Sequence, residues 1–183
     1  MNALCCIFDD FNNKENSNFL YSKFSKYCET IILREKYKMC FDKAIDVFNS
    51  KDYSNLIIIS SKSNLDIEDI YEIIKIANSN MSNIGIYTLQ TNKYFKDKYN
   101  DYNNIFSNVM ESFKFCSKNH INIPKYTYLT NCVGKYLMVI SKDVISHIKK
   151  IPNANINEYM CKMSKALGKY NIVNYKYPIY ISE

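Results

Sequence analysis

The chain has 183 residues, 47% of them hydrophobic, and a net charge of +6, which is enough apolar material for one domain with a buried core. A sequence pI near 8.8 permits contact with phosphates, but the basic residues are interleaved with acids, no helix carries a continuous basic face and no nucleic-acid-binding motif is present. Nucleic acid is therefore not an expected partner.

No apolar run approaches the ~20 residues of a membrane span, and the N-terminal ALCCIF is too short for a signal-peptide core and runs at once into Asp9 and Asp10. The expected location is cytoplasmic. The seven cysteines, Cys5, Cys6, Cys28, Cys40, Cys116, Cys132 and Cys161, are odd in number and show neither C-x-x-C spacing nor a nearby histidine, so they read as reduced and mostly buried thiols. The excess of Asn, Lys, Ile and Tyr over Gly and Trp is the signature of an AT-rich genome, such as that of a low-GC bacterium or a large DNA virus. It inflates the basic count without functional cause.

In chain order, ALCCIF (3–8) reads as a buried strand closed by a polar turn. Phe19, Tyr21, Phe24 and Tyr27 recur at helical spacing, with Asn16 or Ser17 as candidate caps. TIIL (30–33) is a second strand ending at Arg34 and Glu35, residues 37–48 form a second amphipathic helix, and LIIIS (56–60) is a third strand. A helix over 65–77 with acids in its first turn and a strand over 83–89 continue the alternation. Four apolar strands separated by helices predict a Rossmann-like α/β domain with a mostly parallel central sheet flanked by helices, in which ligands bind beyond the C-terminal ends of the strands. Asp9, Asp10, Arg34, Glu35, Ser60, Ser61, Lys62 and Ser63 all fall at that edge.

The polar, tyrosine-rich segment that follows predicts a mobile connection spanning 91–124. Beyond it, 126–129 and 136–140 read as strands, Ser141 as the cap of a helix over 141–151 that Pro152 stops, and 156–167 as a helix closed by Gly168. NIVNY and PIYIS read as two closing strands. His120 and His147 fit no catalytic or metal pattern, and the seventeen tyrosines, spread along the chain, read as core and rim.

The stretch LIIISSKSNLDIEDIYEIIKIANSNMSNIGIYTL resembles the nucleotide-sugar half of GT-A fold glycosyltransferases of the family-2 kind. VGKYLMVISKDVISHI and NEYMCKMSKALGKYNIVNYKYPIYIS are similar to the small C-terminal acceptor portion of that family. The resemblance implies one domain over 1–183, with a donor half at 1–90 and an acceptor half at 125–183. It also implies transfer of a sugar from a nucleotide-sugar donor to a glycan or lipid-linked acceptor, with a protein partner or a second copy of the chain as further possible partners. The family's metal-binding D-x-D aspartates would fall on Ser61 and Ser63, or on Ser60 and Ser61. Serine hydroxyls without a carboxylate are poor ligands for Mg2+ or Mn2+, so no metal or other cofactor is expected. Lys62 could instead hold the departing diphosphate, with the three serines as hydrogen-bond donors. By the same resemblance Glu158, in the pair Asn157-Glu158, is the expected catalytic base, and Asp9, Asp10, Arg34 and Glu35 would lie beside the nucleotide. A catalytically silent relative that binds a nucleotide-sugar, a glycan or a protein is the alternative.

Overall fold

The computed structural model describes residues 2–10, 12–91, 105–131, 133–148, 152 and 155–181. Eight strands, β1 (Leu4–Phe8), β2 (Glu29–Leu33), β3 (Asn55–Ser60), β4 (Ser63–Asn64), β5 (Ile84–Thr91), β6 (Thr127–Leu129), β7 (Leu137–Ser141) and β8 (Tyr170–Ile181), form one sheet in the order β2-β1-β3-β7-β5-β8-β4, with β6 also on β8. The helices are α1 (Lys14–Phe24), α2 (Tyr37–Ser50), α3 (Ile67–Ala77), α4 (Ile105–Lys118), α5 (Lys142–Ser146) and α6 (Ile156–Ala166). None of the described helices is long and apolar enough to cross a membrane.

The sheet is mostly parallel: β1, β2, β3, β5 and β8 run one way, and β4, β6 and β7 oppose them. The expected run of four neighbouring parallel strands is corrected at one point. β7 inserts antiparallel between β3 and β5, pairing Ile58 with Met138 and Tyr87 with Val139. A pairing partner from so far along the chain leaves no local trace in either sequence segment.

Alternate residues of β1 and β3 feed two cores. Cys5, Ile7, Ile57 and Ile59 pack with α1 and α3, while Leu4, Cys6, Phe8, Leu56 and Ile58 pack with α2, α5 and α6. Burial on both faces explains why these strands read as continuous apolar runs. Gly85 seats α6 on the sheet. A Cβ there would lie 1.8 Å from Ser164 Oγ and 2.6 Å from its Cβ, and the β5 ladder shifts register at that residue, so only a bare backbone lets the helix approach.

Several local expectations are corrected. α1 begins earlier than its candidate caps, with Asn13 Oδ1 accepting the Asn16 N–H at 3.2 Å. The connection at 91–124 contains α4, whose inner positions Ser112 and Cys116 are buried; residues 92–104 of that connection lie outside the described residues. The helix expected over 141–151 is only α5. The N–H groups of His147 and Ile148 bond back three residues, to Val144 and Ile145, and tighten its end, and Ile148 then packs into the core. The two closing strands are one long β8, and Pro178 falls where its ladder with β5 skips from Asn174 to Ile179. The six described cysteines are free thiols; Cys132 lies outside the described residues.

Candidate functional site

The C-terminal ends of β1, β2 and β3 meet at one edge, and there the structure gathers most of the expected residues. Asp9 is the organiser rather than an open ligand group. Its side chain is fully buried, with Oδ1 accepting the Asn13 N–H at 2.6 Å and Oδ2 accepting the Ser17 hydroxyl at 3.1 Å. Arg34 Nε, on a half-exposed side chain, stands 3.4 Å from the same Oδ2.

The Ser60–Ser63 turn is clamped from three sides. The Ser60 N–H and the Ser63 hydroxyl both donate to the Tyr136 carbonyl, at 2.8 and 3.0 Å, and the Ser61 N–H donates to the Phe8 carbonyl at 2.8 Å. From α1, the Asn16 amide donates to the carbonyls of Ser61 and Ser63 at 2.7 and 3.0 Å, and the Asn13 amide to Ser61 at 3.3 Å. Ser60, Ser61 and Ser63 are buried: Ser60 Oγ accepts the Lys62 N–H at 3.2 Å, and Ser61 Oγ lacks a partner. The Ser60 and Ser63 hydroxyls thus serve the turn itself, and Lys62 is the one side chain of the four that is not buried.

Asp10 lies at the centre of the charge pattern. Burial pushes its carboxyl up, the charges of Lys135 and Lys62 pull it down, and Asp9 pushes it up again. Its own charge raises Tyr136, whose larger cause is burial, and adds to the burial that holds the Tyr37 phenol far above its ordinary range. The charge of Asp10 is thus felt at Tyr37 and Tyr136, and those of Lys62 and Lys135 at Asp10. Sequence reasoning missed Lys135; its only signal is the Gly134-Lys135 pair in the bend that leads into β7.

Glu35 and Glu158 stand apart from that corner. Glu35 Oε1 pairs with Lys43 on α2, while its Oε2 is buried without a hydrogen bond. α6 opens at the same edge, because the Tyr37 hydroxyl donates to Asn157 Oδ1 at 2.8 Å. Glu158 is nevertheless exposed and paired with Lys162 one turn on, at 2.7 Å.

A GT-A fold implies a divalent cation beside the diphosphate, and the residues present do not fit one. The turn offers inward hydroxyls and carbonyls already taken by Asn13 and Asn16, and Asp10 stands among lysine charges. A separate groove of about 660 Å3 opens between α4, β6 and the start of β8, where Asn171 Oδ1 is buried without a partner; none of the expected residues lines it.

No family model matches the sequence, and no curated protein matches it at the sequence level. Solved structures do match. A197 from STIV aligns with 100% of this chain and 86% of its own length, at a TM-score of 0.55 and 14% identity. A glycosyltransferase involved in the glycosylation of the major capsid of PBCV-1 aligns with 96% of this chain and 83% of its own, at 0.51 and 10%. At such identities the likeness establishes the fold alone, a mostly parallel α/β sheet between helices that this chain shares with that glycosyltransferase.

Proposed function

We propose that the chain transfers a sugar from a nucleotide-sugar donor to an acceptor hydroxyl without a divalent metal. The observation that supports this reading is the C-terminal edge of a glycosyltransferase-like sheet, where Lys62 is the unburied side chain on a turn held by Tyr136, Phe8 and Asn16, and where the charges of Lys135 and Lys62 both lower the Asp10 carboxyl. In the proposed reaction the acceptor oxygen bonds to the anomeric carbon as the bond from that carbon to the diphosphate oxygen breaks. The electron pair leaves on the diphosphate, where the two lysines neutralise it as point charges, and Glu158 takes the acceptor proton. For that, Glu158 must exchange Lys162 for the acceptor hydroxyl, a small cost for an exposed ion pair. Arg34 and the ordered Asp9 loop would border the nucleoside.

The test is a thermal-shift screen with UDP-, GDP-, CMP- and dTDP-sugars, each with Mn2+ and with EDTA, followed by transfer assays with any donor that binds. One nucleotide should shift the melting temperature equally with and without metal, and Lys62→Ala and Lys135→Ala should each weaken it roughly ten-fold. Binding that survives both substitutions, or that appears only with Mn2+, overturns the reading. Binding without turnover moves the assignment to a silent nucleotide-sugar-binding relative.

A further inference from the structure

β1 and β2 end side by side, with Phe8 opposite Leu33 in register, so the residues that follow them, Asp9 and Arg34, leave the sheet together. The Asp9 N–H donates to the Leu33 carbonyl at 2.8 Å and fixes the two exits to each other. The Asp9 carboxylate is buried and committed inward, to the Asn13 N–H, the Ser17 hydroxyl and Arg34 Nε. So occupied, it offers nothing to a ligand; its work is to hold an arginine.

Arg34 itself is half-exposed. It approaches Asp9 through Nε at 3.4 Å, and among the described residues nothing else bonds or pairs with it. Its two terminal nitrogens keep their donors for a ligand, on a guanidinium whose inner end is steadied by a buried charge. A lysine here would present a point charge, whereas the arginine presents a planar pair of donors. Its place along the edge limits what can meet that pair. Only β1 separates β2 from β3, so Arg34 and the Lys62 turn are two strand spacings apart, about 10 Å. With a diphosphate at Lys62, an extended nucleoside diphosphate brings its base, and not its phosphates, to Arg34.

We propose that Arg34 selects the base of the donor nucleotide and that this base is guanine. The inference rests on the transferase reading, which puts the diphosphate at Lys62. A planar pair of donors calls for two neighbouring acceptors in one plane. Guanine presents O6 and N7 in this way, and the bidentate pairing of arginine with that edge is its commonest specific contact with a base. Adenine has an amino donor beside N7, and uracil and thymine have an N–H beside O4, so each leaves one arginine donor facing another donor. Cytosine has neighbouring acceptors at N3 and O2, but its O2 lies against the ribose, and its opposite edge carries the amino donor. The donor is therefore a GDP-sugar, chosen at the end of β2 and cleaved at the end of β3.

Isothermal titration of the full chain in EDTA with GDP, inosine diphosphate, 7-deaza-GDP, ADP, UDP, dTDP and CDP tests this, repeated on Arg34→Lys and Lys62→Ala. GDP and inosine diphosphate, which share O6 and N7, should bind roughly ten-fold or more tighter than the four other bases. 7-Deaza-GDP lacks only the N7 acceptor and should bind about ten-fold more weakly than GDP. Arg34→Lys keeps a charge beside Asp9 but not the planar pair; it should bring GDP down to the level of UDP and leave UDP unchanged. Preference for another base, equal binding of GDP and 7-deaza-GDP, or a loss in Arg34→Lys shared by every nucleotide overturns the proposal, the last because it would give Arg34 to a phosphate. The 7-deaza comparison needs no substitution, so it decides the matter even if Arg34→Lys does not fold. Binding of another nucleotide that depends on Lys62 and not on Arg34 sinks only the guanine assignment. Guanine-selective binding that survives Lys62→Ala, or that never leads to sugar transfer, sinks only the transferase reading. No binding of any nucleotide sinks both.

Discussion

The Tyr37 hydroxyl donates to Asn157 Oδ1 at 2.8 Å, joining the first turn of α2 to the first turn of α6 across the candidate site. The bond spans two helices that meet nowhere near each other in sequence, and it is the direct tie between the lysine corner and the turn carrying Glu158. Tyr37→Phe should cost about 1 kcal/mol of stability, the net value of one such bond. On the proposed transferase reading it should also lower turnover more than donor affinity, since Lys62 and Lys135 are untouched. Urea unfolding and donor titration of the same variant check both; equal losses in affinity and turnover would contradict the positioning role.

Asp69 closes the N-terminus of α3 in a reciprocal cap, accepting the Asp66 N–H at 3.0 Å while Asp66 accepts the Asp69 N–H at 2.8 Å. Burial pushes its carboxyl up from 3.8 to about 6, against the lowering hydrogen bond from Asp66. The folded chain then holds this proton more tightly than the unfolded chain, so the stability it contributes is present at low pH and is lost as pH rises from about 4 to 6. Asp69→Asn removes the titration. The stability of the wild type minus that of the variant, followed by urea unfolding from pH 4 to 7, should fall across this window by about 1 kcal/mol or more. A difference that stays flat or rises would count against it.

Gly85→Ala should destabilise the fold by about 3 kcal/mol, because its Cβ collides with a helix side chain that cannot leave. The companion change Ser164→Gly removes both colliding atoms and should recover part of the loss, less about 1 kcal/mol for glycine inside a helix. Thermal or urea unfolding of the two single variants and the double variant measures the coupling; strict additivity would contradict the contact.

Among the described cysteines, Cys28 should be the first to react with iodoacetamide. The Cys5 thiol hydrogen-bonded to it pulls its proton affinity down, and Cys28 is half-buried, whereas Cys5 and Cys6 are fully buried and pushed up by desolvation. Peptide mass mapping after brief labelling of the native protein reads the order, and modification of Cys5 or Cys6 before Cys28 would refute it.

Local periodicity was enough for β1 to β3 and α1 to α3, because each buries a face against its immediate neighbours in sequence. α4 escaped because its buried positions Ser112 and Cys116 are not strongly apolar and its surroundings are rich in Asn and Tyr. The insertion of β7 and the single long β8 are long-range pairings, which strand composition cannot reveal. At the site, strand ends located Asp9, Asp10, Arg34 and the serine turn. Which of them face outward depended on Asn13, Asn16 and Tyr136, contacts that no spacing encodes. Lys135 stayed hidden for the same reason: it comes to the edge beside Asp10 only once β7 has paired with β3.

β8 pairs with β5 and β6 along its first part, and with its last residues it closes on β4, where Ile181 sits opposite Ser63 and Tyr180 opposite Asn64. The turn that carries Lys62 is therefore finished by the last strand of the sheet. The clamps from Tyr136, Phe8, Asn13 and Asn16 hold one side of that turn, and the end of the last strand holds the other, so fraying of that end would loosen the backbone just beyond Lys62 without touching the lysine itself.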